Sequence, residues 1–179
     1  MPRWMQAGYL VLAVSAGCSG PRSVAPTPST EATTPIPIEL RAVKIAELND
    51  EIAKQKGKVV LIDIWFRGCA PCVKRFPKFV ELHRELKAEG LVCISLDVYV
   101  EELKTKDKVL EFLKEQGADT INLIVDDTEK ALGDWQEKYD AVATPSYVIF
   151  NRQGEWVKTP QPEDKYNVSK LLKKLLAEK

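Results

Sequence analysis

The sequence predicts an α/β fold with a central mixed β-sheet covered by helices on both faces. Three observations carry this. Short, continuous apolar runs rich in β-branched residues, at 58–65, 91–98, Ile121–Val125 and Ser146–Phe150, read as strands, the first of them central and buried on both faces. Segments with apolar residues at helical spacing alternate with these runs, which calls for a sheet covered by helices. Behind the last run, Asn151-Arg152-Gln153-Gly154 forms a turn into residues 155–158, and that hairpin makes the sheet mixed rather than all parallel.

The N-terminal residues stand apart from this pattern. Residues 1–17 read as an export signal of lipoprotein type: Arg3 gives a positive start, and the stretch from Met5 to Ala16 is apolar, small and uncharged. A bilayer-spanning helix takes about 20 residues, so the stretch suits the apolar region of a signal peptide instead. Its end, Val14-Ser15-Ala16-Gly17-Cys18, resembles the lipobox of bacterial lipoproteins, with Ser15 in place of the usual leucine. In that family cleavage precedes the cysteine, which then carries the lipid, so Cys18 is expected to be lipidated. The alternative, a plain secretory signal with Cys18 incidental, also places the mature protein outside the cytoplasm. Residues 18–38 form a Pro/Ser/Thr-rich tether, punctuated by Pro21, Pro26, Pro28, Pro35 and Pro37. Such a segment has too little apolar surface to offset its ordering entropy, and its prolines keep it extended. Residues 39–179 then form one domain.

Within that domain, Ile45, Leu48 and Ile52 recur at helical spacing, with Gly57 beyond them as a stop. The central strand 58–65 follows. A long helical pattern then runs to Lys87, with Val73, Phe76, Val80, His83 and Leu86 near one face, and Gly90 ends it. After the strand at 91–98 come a helix over 103–116, a strand at Ile121–Val125, a helix over 129–139 and the final hairpin. An amphipathic helix over 168–176, capped by Asn167, closes the chain.

Composition excludes several functions. The chain has 179 residues, enough for one domain with its own core. Lysine and arginine balance aspartate and glutamate, 26 against 26, so no field attracts nucleic acid or an anionic membrane surface. A single histidine, His83, rules out a His-rich metal site. The four cysteines, Cys18, Cys69, Cys72 and Cys93, do not form a disulfide framework of the kind that replaces a missing core.

Cys69-Ala70-Pro71-Cys72 carries the chemistry. As half of a zinc site it would need Cys93 and His83 as further ligands, but Cys93 lies inside a buried strand and His83 about three turns further along the helix. Haem attachment fails because Val73 stands where a histidine is required. The remaining use is a reversible disulfide. Two cysteines at i and i+3 at a helix start approach closely, and the unpaired N–H groups and helix dipole there favour a thiolate on the first. Cys69 suits the attacking role and Cys72 the resolving role. Pro71 removes an N–H that would be unpaired in the first turn and fixes the backbone.

The segment from Val59 to Cys72, followed by Phe76-Pro77, resembles the active-site strand and helix of thioredoxins, and within them the exported TlpA/ResA-like branch of thiol–disulfide oxidoreductases. Ala143-Thr144-Pro145-Ser146 resembles the loop whose proline is cis in that fold. The resemblance implies a thioredoxin-like fold from about residue 40 onward. It implies that Thr144 and a cis Pro145 hold the substrate chain beside Pro71, that Pro77 kinks the active-site helix, and that Asp63 is a buried acid able to pass a proton to or from Cys72. It also implies disulfides of envelope proteins as substrates and a membrane thiol as electron donor. No cofactor or metal is called for. The protein is expected on the periplasmic side of a bacterial cell envelope, as a monomer held to the membrane by its lipid anchor only.

Two residues depart from the family pattern. Gly68 replaces the tryptophan that usually precedes the first cysteine, which should leave the site more open. Arg67 stands where its charge would lower the pKa of Cys69; the alternative is a surface arginine without effect. The other candidates read as structural: Trp65 in the core beside the site, His83 on a helix face, Cys93 as a small buried hydrophobe, Asp126 and Asp127 as a strand-end turn, Trp135 and Tyr139 packing one turn apart. The leading function is a reductase of protein disulfides. The alternatives are an oxidant or isomerase, since potentials in this fold span about −270 to −120 mV, and a non-catalytic binding module.

Overall fold

The computed structural model describes residues 37–157 and 165–178, all within one unit, Pro35–Lys179. The signal segment, Cys18 and the tether up to residue 36 lie outside the described residues. Strand β2 (Val59–Trp65) is buried along its whole length, as its unbroken apolar run requires. It pairs in parallel with β3 (Leu91–Asp97) and antiparallel with β5 (Ser146–Phe150). Beyond β3 lie β4 (Ile121–Val125) and the edge strand β1 (Arg41–Val43), both parallel. Beyond β5, the two-residue β6 (Trp156–Val157) closes the other edge through the expected hairpin. The order β1-β4-β3-β2-β5-β6 is a mixed six-stranded sheet, and the fold is thioredoxin-like.

Side-chain alternation splits the core in two. On one face, Val59, Leu61, Trp65, Cys93 and Ile149 lie under α2 (Ala70–Leu86), α3 (Lys106–Glu115) and α5 (Lys165–Ala177). On the other, Val60, Ile62, Ile64, Ile94 and Val148 lie under α1 (Ile45–Ala53) and α4 (Glu129–Lys138). Phe76 anchors α2 against Trp65 (ring centroids 4.7 Å apart) and Phe79 (5.6 Å). Emptying that position with Phe76→Ala should cost about 3–5 kcal/mol. Among the described residues no helix is long and apolar enough to cross a membrane.

The structure corrects several boundaries. Residues 103–116 do not form one helix: a 3-10 turn, Val100–Thr105, precedes α3. Helix α5 begins at Lys165, so Asn167 lies inside it rather than capping it. Strand β1 has no counterpart in the sequence reading; three residues cannot show a period. Asp127 does close a strand-end turn, and its Oδ2 also accepts the Ile45 N–H at 2.9 Å, holding the start of α1.

Candidate active site

Strand β2 ends at Trp65, and the chain turns through Phe66, Arg67 and Gly68 into α2. Cys69 is the N-cap of that helix, with extended backbone (φ −85°, ψ 98°). Cys69 and Cys72 form a disulfide, with Cα atoms 5.2 Å apart. The Cys72 N–H points at Cys69 Sγ from 3.3 Å, one of the unpaired donors of the first helical turn. The two sulfurs are not equivalent: Cys69 keeps 7% of its surface exposed, Cys72 none. Ala70 and Pro71, between them, are exposed. The segment Thr144-Pro145 has a cis peptide bond. Because Ile64 pairs with Ser146, this segment lies at the same end of the sheet from which the cysteine loop departs.

Asp63 is wholly buried on the α2 face of β2. The sequence reading placed it beside Cys72 as a lone acid and missed its partner. The Arg75 guanidinium forms a buried ion pair with Asp63 Oδ1. Its Nη2 also donates to the Ser146 carbonyl at 3.1 Å, and it lies 4.0 Å from the centre of the Tyr147 ring. One side chain thus ties the active-site helix to β2 and to the residue that follows Pro145. Burial pushes the Asp63 carboxyl up to about 6, with Arg75 pulling against it. The signal was present in the sequence: position 75 lies three residues after Cys72 and four before Phe79, on the buried side of α2.

A second acid pair borders the loop. Glu102, from the 3-10 turn, is buried, and its two carboxyl oxygens accept the N–H groups of Arg67 (3.0 Å) and Gly68 (3.2 Å). Asp97, wholly buried at the end of β3, lies within hydrogen-bonding reach of Glu102. Burial and then Glu102 push Asp97 up to about 9. The Arg67 charge, expected beside Cys69, acts on Asp97. A Cβ at Gly68 would come within 3.2 Å of the Phe66 ring, whose centroid lies 5.3 Å from that of Tyr99, so this aromatic pair flanks the position.

The remaining candidates sit apart from this chemistry. Trp65 is core, its indole N–H donating to Ser95 Oγ at 2.8 Å. His83, on α2, has its Nε2 3.9 Å from Asp119 in the segment between α3 and β4, and burial holds its pKa below the usual value. Burial, with the Asp63 charge, pushes the Cys93 thiol well above its ordinary range, which keeps it protonated and inert. Among the described residues no three His, Cys, Asp or Glu side chains cluster as metal ligands.

The geometry agrees with comparison to known proteins. A model of the Redoxin family matches residues 42–175. The chain belongs to the Redoxin family. Among curated relatives it is similar to the thiol-disulfide oxidoreductase ResA of Bacillus subtilis (strain 168), with 29% identity over 109 residues, 60% of this chain and 55% of that protein. It also resembles the sporulation thiol-disulfide oxidoreductase A of the same organism, with 22% identity over 117 residues, 65% of this chain and 67% of that one. The chain thus spans only 55% of the ResA relative's length. Among solved structures, a thiol:disulfide interchange protein from Bacteroides sp. superposes with a TM-score of 0.54 at 24% identity, covering 73% of this chain and 78% of that one. The exposed lipoprotein thioredoxin of Streptococcus pneumoniae strain TIGR4 gives 0.51 at 22% identity, covering 69% and 89%. These two show the shared fold; the Redoxin assignment rests on the family match.

Proposed function

We propose that this Redoxin-family chain is an exported, lipid-tethered thiol–disulfide oxidoreductase that reduces disulfides of envelope proteins. The observation that carries the reading is the Cys69–Cys72 disulfide at the start of α2, with only Cys69 reaching the surface. In the reduced protein, the Cys69 thiolate attacks one sulfur of a substrate disulfide. A mixed disulfide forms and the other substrate sulfur leaves as a thiolate. Cys72 then gives up its proton and attacks the Cys69 sulfur. The second substrate thiolate is released, two electrons have passed to the substrate, and the Cys69–Cys72 disulfide remains. A membrane thiol donor reduces it again.

Asp63 is the group offered for the Cys72 proton. Its carboxyl, pushed up to about 6, is mostly ionised at neutral pH and acts as a base. Thr144, Pro145 and Pro71 are proposed to hold the substrate chain by backbone contacts, and the lipid on Cys18 to keep the domain at the membrane on the periplasmic side. Redox titration of the Cys69–Cys72 pair against glutathione, with Cys69→Ser as control, tests the reading. A potential near about −270 mV supports the reductase; one near about −120 mV would make the protein an oxidant. The absence of any titrating disulfide would overturn both.

A further inference from the structure

We propose that Asp97 and Glu102 form a proton-sharing carboxyl pair that clamps the Arg67–Gly68 backbone and so positions the sulfur of Cys69. The inference rests on the reading of Cys69–Cys72 as the redox pair. Its geometry stands on four contacts. Glu102 accepts the N–H of Arg67 with Oε2 (3.0 Å) and that of Gly68 with Oε1 (3.2 Å), occupying both oxygens on the two residues before Cys69. Asp97 Oδ1 accepts the Tyr99 N–H at 2.9 Å. The Tyr99 carbonyl in turn accepts the Glu102 N–H at 2.8 Å, so one short segment holds both acids. Asp97 Oδ2 is buried with no protein donor. The neighbouring group for it is the Glu102 carboxyl, itself an acceptor. Two buried carboxylates cannot stay charged side by side; a single proton between them removes the repulsion and supplies the missing donor.

The proton belongs on Asp97. Both Glu102 oxygens already accept backbone donors, whereas Asp97 Oδ2 has none. The charged groups acting on Asp97 are Glu102 and the Arg67 guanidinium; Tyr99 adds its N–H. Asp97 and Glu102 touch neither sulfur on this account. They act through the loop, as positioning residues, and they keep one negative charge rather than two beside the Cys69 thiolate.

The test uses the full chain with Glu102→Gln and Asp97→Asn. Amide hydrogen exchange is followed in the oxidised protein, and attack on the small neutral disulfide dithiodipyridine in the reduced protein. Glutamine offers one acceptor in place of two, so the amides of Arg67 and Gly68 should exchange at least about tenfold faster, and Cys69 should react about tenfold more slowly at a pH where it is fully thiolate. Asparagine donates permanently to Glu102. Asp97→Asn should therefore match the wild type at neutral pH and hold its rate above pH 9, where the wild-type rate falls. Wild-type exchange and wild-type reactivity in Glu102→Gln would overturn the clamp, as would the same alkaline fall in Asp97→Asn. If Glu102→Gln does not fold, the alkaline comparison of Asp97→Asn with wild type decides alone. A reduced wild type that never attacks the probe would overturn the redox reading instead, while amide protection still judges the clamp.

Discussion

Two buried aspartates on neighbouring strands meet the same problem in opposite ways. Asp63 on β2 and Asp97 on β3 both lie fully buried on the sheet face under α2, two register positions apart: Asp63 opposite Ser95, Asp97 opposite Trp65. Asp63 is met by a cation, Arg75, and stays mostly charged at neutral pH. Asp97 is met by another acid, Glu102, and holds a proton up to about pH 9. The first arrangement leaves a carboxylate paired with a cation beneath α2. The second leaves Glu102 as a fixed acceptor for the loop in front of that helix. Burial alone raises both acids; the partner each one meets decides which side of neutrality it falls on.

The largest effect comes from removing the sulfurs that both acids are proposed to serve. Cys69→Ser should reduce disulfide exchange to the background rate, and Cys72→Ser should instead accumulate the mixed disulfide, visible on a non-reducing gel. Exchange surviving in Cys69→Ser would detach both aspartates from the chemistry.

Next is the ion pair. Arg75→Met leaves a buried carboxylate without its cation, at an expected cost of about 3–5 kcal/mol, read by denaturant unfolding. It should also drive the Asp63 titration upward, away from about 6 and toward Asp97. Arg75→Lys should recover only part of the stability, since an ammonium cannot reproduce the guanidinium's simultaneous reach to Asp63 and the Ser146 carbonyl.

The pH dependence separates the two acids with a smaller effect. An acid whose folded pKa exceeds its unfolded value binds its proton more tightly when folded. Stability therefore falls as pH rises between the two values and is level above the higher one. For Asp63 the window runs from about 4 to about 6, and the loss is about 3 kcal/mol. Asp63→Asn should lack this slope. Asp97→Asn mimics the protonated state and should lack the corresponding Asp97 slope, so its stability relative to wild type should rise between about pH 4 and about pH 9 and stay level above that.

How much of this could be read in advance follows from how each signal is written in the chain. The runs at β4 and β5 match the structure residue for residue, and the run at β2 is one residue too long at its start, because buried strands are continuous apolar runs with sharp ends. The cysteine pair was legible through its spacing, and the acid before it through the resemblance to thioredoxins. Strand β1 was not: Arg-Ala-Val acquires its structure only by pairing with β4. Arg75 went unread, although its phase on α2, three residues after Cys72 and four before Phe79, places it on the buried side. Glu102 carried no such mark. Glu101 beside it is exposed, and a 3-10 turn, not an α-helical period, decides which of the two faces inward. Asp97 closes an apolar strand, and only the position of Glu102 gives it a role.

The comparison rests on one measurable difference, the charge of Asp63 and of Asp97 at the same pH. An NMR titration of the aspartate carboxyl carbons in the oxidised protein, with Asp63→Asn and Asp97→Asn for assignment, reads it directly. The account predicts one inflection near pH 6 that disappears in Asp63→Asn and a second near pH 9 that disappears in Asp97→Asn. Both carboxyls titrating together in the ordinary aspartate range, about 3.9, would contradict it.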